Sequence, residues 1–223
     1  MTGADAVRRV RRAMGLGSLL PLGGPGDGAW LSEQAAAPVL RRAAATVPGA
    51  ALRRIRLTLA DPGTAAEPAV PPPPSALPPG PLRLEAEVAV WEWEPLPALA
   101  AELRAELLAV ASDRLGLEIA EVDLLVSELL DTAPRGRDGT DAHRVRAVDA
   151  TDAAGEAAAA TEGVAHLTAT LGVAVHHEPD HVRVELATAV GHRPLDVARA
   201  VRATVSLALD DGRAVAVLIT SVP

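Results

Sequence analysis

The sequence contains no cysteine, phenylalanine, tyrosine, lysine or asparagine, and its only aromatic side chains are Trp30, Trp91 and Trp93. Each gap removes a class of chemistry. Without cysteine there is no disulfide, no thiolate nucleophile and no zinc–thiolate site. Without lysine there is no Schiff-base amine and no phosphate-loop lysine, and every basic side chain is an arginine. Without Phe and Tyr, base stacking has almost no platform. The net charge of −8 also opposes a nucleic-acid backbone. No apolar run approaches the roughly 20 residues that span a bilayer. The start, MTGADAVRRVRRAMGLG, lacks the long apolar stretch of a secretory signal. The absence of cysteine is compatible with the cytoplasm. What remains to fill a core is Ala, Leu and Val, within a chain of 223 residues that is 49% hydrophobic.

The residues that are present form a repeat. LRLEAEVAV (82–90) lies on VRVELATAV (182–190), with Arg83 on Arg183 and Glu85 on Glu185. Flanking pieces follow in the same order. An Ala-rich helix ending AATVPGA (44–50) precedes the first strand, and AAATEGVA (158–165) precedes the second. A Pro-Leu helix start follows each strand, and each helix ends near a glycine, Gly116 or Gly212, suited to a left-handed cap. AEVDLLVSELL and AVAVLITSV then close the two units. The expected fold is α/β (α+β), with two α-β-β-α-β units, each a small sheet with helices on one face.

The periodicities agree. Leu82, Leu84, Ala86, Val88 and Val90 alternate with Arg83, Glu85 and Glu87, which marks a half-buried strand with ion pairs on the outer face. Leu96, Leu99, Leu103, Leu107 and Val110 form one helical stripe, and Leu195, Ala198, Val201, Val205 and Ala208 form another. Each sheet is thus expected to keep one face for helices and one for water. The divisions read as an N-terminal arm with a short basic helix (1–29), a first unit (30–131), a linker (132–147) and a second unit (148–223). The Pro-rich insertion 61–81 inside the first unit reads as an extended loop, with a proline-motif ligand as the alternative.

Few residues suggest chemistry. HHEPDH (176–181) gathers three of the six histidines with two carboxylates. Glu178-Pro179-Asp180-His181 fits a type I turn. Pairing Val175 with Val184 puts Val173, Val175, Val182, Val184 and Leu186 on one face, and His176, Glu178 and His181 on the other. A metal site at that tip is sterically open, but Arg183 falls opposite His176 and would repel a cation. A solvated turn is the expectation, and no cofactor is expected. Arg8, Arg9, Arg11 and Arg12, with Val7, Val10 and Met14, make a short basic amphipathic segment, read as a terminal helix or a contact for anionic lipid. Trp91 and Trp93 fall on one outward face, to be covered by the N-terminal arm, by the Pro-rich loop or by a partner. Ser32 is placed to cap a helix, in which Pro38 requires a bend or a later start. Glu85 and Glu185 recur at one repeat position and read as sheet-surface ion pairs rather than catalytic groups. MGLGSLLPLGG lacks the spacing of a phosphate loop.

Residues 150–223 resemble the bacterial alkaline-shock, or envelope-stress-response, protein family. Gly163-Val164, Val182 to Val190, Pro194 to Val205 and Val215 to Val222 follow that family's order of helix, Gly-Val step, hairpin, Pro-started helix and final "V-x-I-T-x-V" strand. The segment from Trp30 to Leu130 is similar more loosely, through WLSEQ and Pro48-Gly49, and departs from the pattern at the Pro-rich insertion and at Trp91-Glu92-Trp93-Glu94. The resemblance implies a non-enzymatic cytoplasmic protein of envelope homeostasis. It implies association with itself, with relatives or with a membrane-anchored partner protein, which would hold it at the inner face of the membrane. It supplies no catalytic residues.

Overall fold

A computed structural model describes residues 16–74, 76–91, 95–131 and 145–223. It is α+β, as expected. Strand β1 (Leu19–Leu22) forms an antiparallel hairpin with β2 (Ala29–Ser32). Ser32 ends β2 and caps helix α1 (Glu33–Ala44), accepting the Ala35 N–H at 3.2 Å. Pro38 sits inside this helix. The first half continues with β3 (Ala50–Leu59), β4 (Leu82–Trp91), α2 (Leu96–Val110) and β5 (Ile119–Leu130). The second half runs α3 (Ala153–Ala159), β6 (Val164–Leu167), β7 (Val175–His177), β8 (His181–Thr188), α4 (Pro194–Leu209) and β9 (Ala214–Ser221).

The two halves are wound alike. β3 pairs antiparallel with β4, which pairs parallel with β5. β6 and β7 both pair antiparallel with β8, which pairs parallel with β9. β6 was not foreseen in the sequence. It and β7 run along the same edge of β8 as one interrupted strand. The interruption includes Gly172, whose φ of 119° an L side chain rarely adopts. The Gly steps that precede β3 and β6 are also alike, with φ of 85° at Gly49 and 87° at Gly163. At the helix ends the halves differ. Gly116 takes the left-handed turn after α2, but Asp210, not Gly212, takes it after α4.

The first sheet follows the expected alternation. Leu82, Leu84, Ala86, Val88 and Val90 are buried, and the outer face carries cross-strand ion pairs. Arg83 meets Glu121, Arg53 meets Glu128 at 2.8 Å, and Arg54 meets Glu87 at 3.8 Å. On α2 the stripe Leu99, Leu103, Leu107 and Val110 is buried, while Leu96 is exposed.

The second sheet corrects the expectation of a water-facing side. Glu185 is 0% exposed and Arg183 is buried with it, 3.7 Å away. The Pro-rich segment and the turn after β6 lie over this face, where Val70, Ala76 and Leu171 pack with Leu19, Trp30, Ala216 and Leu218. Trp30 donates its indole N–H to Leu77 O, and Leu77 N–H donates to Leu19 O. The insertion is thus the expected loop, but it seals an apolar face and does not hang free. Val173, placed on the apolar side of its hairpin, is instead exposed.

The N-terminal hairpin also differs from an arm outside both units. β2 pairs parallel with β9, Trp30 against Leu218, so residues 19–32 extend the C-terminal sheet to the order β1-β2-β9-β8-β6. The chain then crosses through α1, which packs on β3, α2 and β9. One continuous core joins Leu31 and Leu40 with Leu57, Leu84, Leu103, Val184, Val201 and Ile219. Among the described residues, no helix is long and apolar enough to cross a membrane.

Candidate interaction surface

The histidine hairpin has the expected register, with Val175 opposite Val184 and His176 opposite Arg183. Its side chains do not converge. His176 Nε2 pairs with Glu178 Oε1 at 2.7 Å, and His181 Nδ1 turns to Asp180 Oδ1 at 2.9 Å. His177 Nε2 reaches Asp152 Oδ2 at 2.9 Å, which ties the hairpin to the start of α3. Asp152 also accepts the Gly155 N–H at 2.7 Å. Burial pushes the Asp152 carboxyl up, but these bonds outweigh it and hold the group below its usual range. Arg213 packs beside His177 at 3.3 Å. Each imidazole is thus bound to its own carboxylate, and among the described residues no three such groups could share a metal ion.

The repeated glutamates separate by environment. Glu85 lies on the exposed ion-pair face of the first sheet. Glu185 is buried and accepts the Leu171 N–H at 3.1 Å, which pins the turn over the second sheet. Composition gave no sign of that difference, because part of the cover, Val70 and Ala76, comes from residues more than 100 positions away. A second polar knot, also unforeseen, holds the halves together. Asp27 takes two hydrogen bonds from Arg199 at 2.8 and 3.0 Å, and Arg193 donates twice to Ser112 O.

Strand β5, unlike these groups, presents an edge that is unpaired among the described residues. It is the edge of its sheet, and no described residue pairs with its outer side. It is 12 residues long and contains no Pro, Lys or Arg. Leu125 is 64% exposed, Leu129 60% and Val126 42%. Leu125 lies opposite Glu87, on the ion-pair face, while Val126 and Leu129 lie opposite Val88 and Val90, on the helix face. There they border an apolar groove of about 240 Å³ between β4, β5 and the start of α2, lined by Val88, Val90, Leu96, Leu99, Leu103 and Val126. A long apolar edge of this kind is a template for another strand unless it is covered. From the sequence AEVDLLVSELL is a strand that closes the first unit; its place at the sheet edge comes from the strand order.

Of the residues singled out from sequence, Trp91 lies at the end of β4, half-buried, with its indole nitrogen buried. The Pro-rich segment, one of three covers considered for Trp91, packs on Trp30. Trp93, Arg8, Arg9, Arg11 and Arg12 lie outside the described residues.

No family model, curated protein or solved structure matches this chain.

Proposed function

We propose that this protein is a non-enzymatic assembly protein that works through protein–protein contacts. The observation that carries this reading is the apolar edge of β5, unpaired among the described residues, beside an open apolar groove. Exposed apolar surface of this type marks interaction sites, and an unpaired strand edge supplies main-chain hydrogen bonds to a partner. The charged groups that would otherwise suggest chemistry are engaged in holding elements together, as with Asp152 and His177 or Asp27 and Arg199.

The setting we propose is the one implied by the resemblance of residues 150–223 to the alkaline-shock family. It is envelope stress in a bacterial cytoplasm, with self, family relatives or a membrane-anchored protein as partners and with location at the inner face of the membrane. The test is affinity capture from the native cell with the membrane fraction retained, using the native chain and Leu125→Arg/Leu129→Arg. The expected result is recovery of the same chain or a membrane-anchored relative by the native protein and its loss in the variant. Recovery of an unchanged partner set by the variant would remove the β5 edge from the account.

A further inference from the structure

The groove between α2 and the first sheet is open where the rest of that layer is closed. The later turns of α2 sit down on the sheet, with Leu103, Leu107 and Val110 buried. At its first turn Leu96 is 44% exposed, and Val126 on β5 is 42% exposed. The trough they border is floored by Val88, Val90, Leu99 and Leu103, all buried.

Of the residues that line it, Arg104 alone is charged. Arg104 donates its Nε–H to Val122 O on β5 at 3.2 Å, which holds the exposed guanidinium at the lip of the trough. That bond uses one of five guanidinium N–H groups. The nearby carboxylates lie elsewhere. Asp123 is opposite Glu85 on the ion-pair face, where Arg83 engages it. Glu102 and Glu106 are each two residues from Arg104 along α2, and residues so spaced do not face one another. In a protein of net charge −8, this apolar opening is thus marked by a cation.

We propose that the trough binds a free medium-chain fatty acid, with the alkyl chain along α2 and the carboxylate at Arg104. Apart from Arg104, every lining side chain is hydrocarbon, which suits an unfunctionalised chain. A guanidinium is a fork of donors that matches a carboxylate. From Leu96 to Arg104 the helix rises about 12 Å, a span that a straight chain of about ten carbons covers at a little over 1 Å of advance per bond. The volume of about 240 Å³ lies below the roughly 300–1,000 Å³ of drug-sized sites. It has room for one chain, so a two-chain membrane lipid would leave its second chain in water. The ligand needs no hydrogen bond from the β5 edge, and this site stands apart from strand pairing there.

Isothermal titration of the full chain with hexanoate, octanoate and decanoate, each below its micelle-forming range, tests the site. Affinity should rise about fourfold per added methylene while the trough fills, and dodecanoate should gain little over decanoate. Arg104→Gln should weaken decanoate about threefold to tenfold and leave decanol unchanged. Val126→Trp, at a half-exposed position, should fill the trough and weaken acid and alcohol together while keeping the native far-ultraviolet circular dichroism. If that variant does not fold, the contrast between acid and alcohol in Arg104→Gln, at an exposed position, decides alone.

A chain that takes up no decanoate at millimolar concentration overturns the inference, and so does an affinity indifferent to chain length. Binding that a folded Val126→Trp leaves intact lies elsewhere and overturns it too. Equal loss of acid and alcohol in Arg104→Gln removes the carboxylate contact, and with it the ligand class. Capture of a partner through Leu125 and Leu129 is read separately and survives each of these failures.

Discussion

Ser32 does three things with one hydroxyl-bearing residue. It ends β2, accepts the Ala35 N–H as the α1 cap, and lies 3.4 Å from Thr220 O on β9. It is fully buried, so its loss leaves an N–H without a partner. Ser32→Ala should cost about 1–2 kcal/mol, seen as a lower urea midpoint at unchanged slope. Asp27 makes a pH-dependent contribution. The Arg199 hydrogen bonds are the main cause holding its carboxyl below the usual carboxylate range, against the opposing effect of burial. A carboxylate depressed in the folded state stabilises above its unfolded value and loses that contribution as pH falls through the folded one. Stability should therefore decline as pH drops below about 4, and Asp27→Asn should flatten part of that decline in unfolding curves taken down to about pH 3. Single residues were unevenly legible. The Ser32 cap could be read from WLSEQ, because an N-cap is a local preference. The burial of Glu185 could not, because it depends on Leu171 and Trp30 arriving from elsewhere.

At the scale of elements, the apolar periods were the reliable signal. The stripe on α2 and the alternation on β4 are where the spacing puts them, since both follow from backbone geometry alone. The exception on α2 is instructive: Leu96 has the right spacing but lies at the open groove. Leu107→Ala should cost about 2–5 kcal/mol and Leu96→Ala much less, by chemical denaturation of the two variants in parallel. What periodicity cannot give is strand order. β2 and β5 carry similar apolar content, yet one ends between two strands and the other at an edge that no described residue pairs. β6 was not foreseen because a four-residue strand carries too little alternation to read, and Gly172 marks where that edge breaks before β7.

At the scale of the molecule, the repeat is legible as winding but not as separation. Both halves follow one connection pattern, while β2 and α1 bind the N-terminal segment to the C-terminal sheet. Gly116 marks how close the halves come: a Cβ there would lie 2.5 Å from the Leu195 Cβ, where its φ of 85° also disfavours a side chain. With a core shared across both halves, heat or urea should melt them together. Far-ultraviolet circular dichroism and tryptophan fluorescence should give superimposable curves with a single midpoint. Two resolved midpoints would mean that the halves hold themselves up independently.

The Ser32–Thr220 contact joins positions 188 residues apart. During synthesis, Trp30 and Leu31 leave the ribosome long before Leu218 and Ile219 exist to receive them. Until residue 219 is made, the nascent protein carries an unmatched apolar ribbon, and its completion is a slow, late event. A stalled translation product would display that ribbon to chaperones and proteases, so quality control can tell an unfinished chain from a finished one by whether Trp30 is hidden.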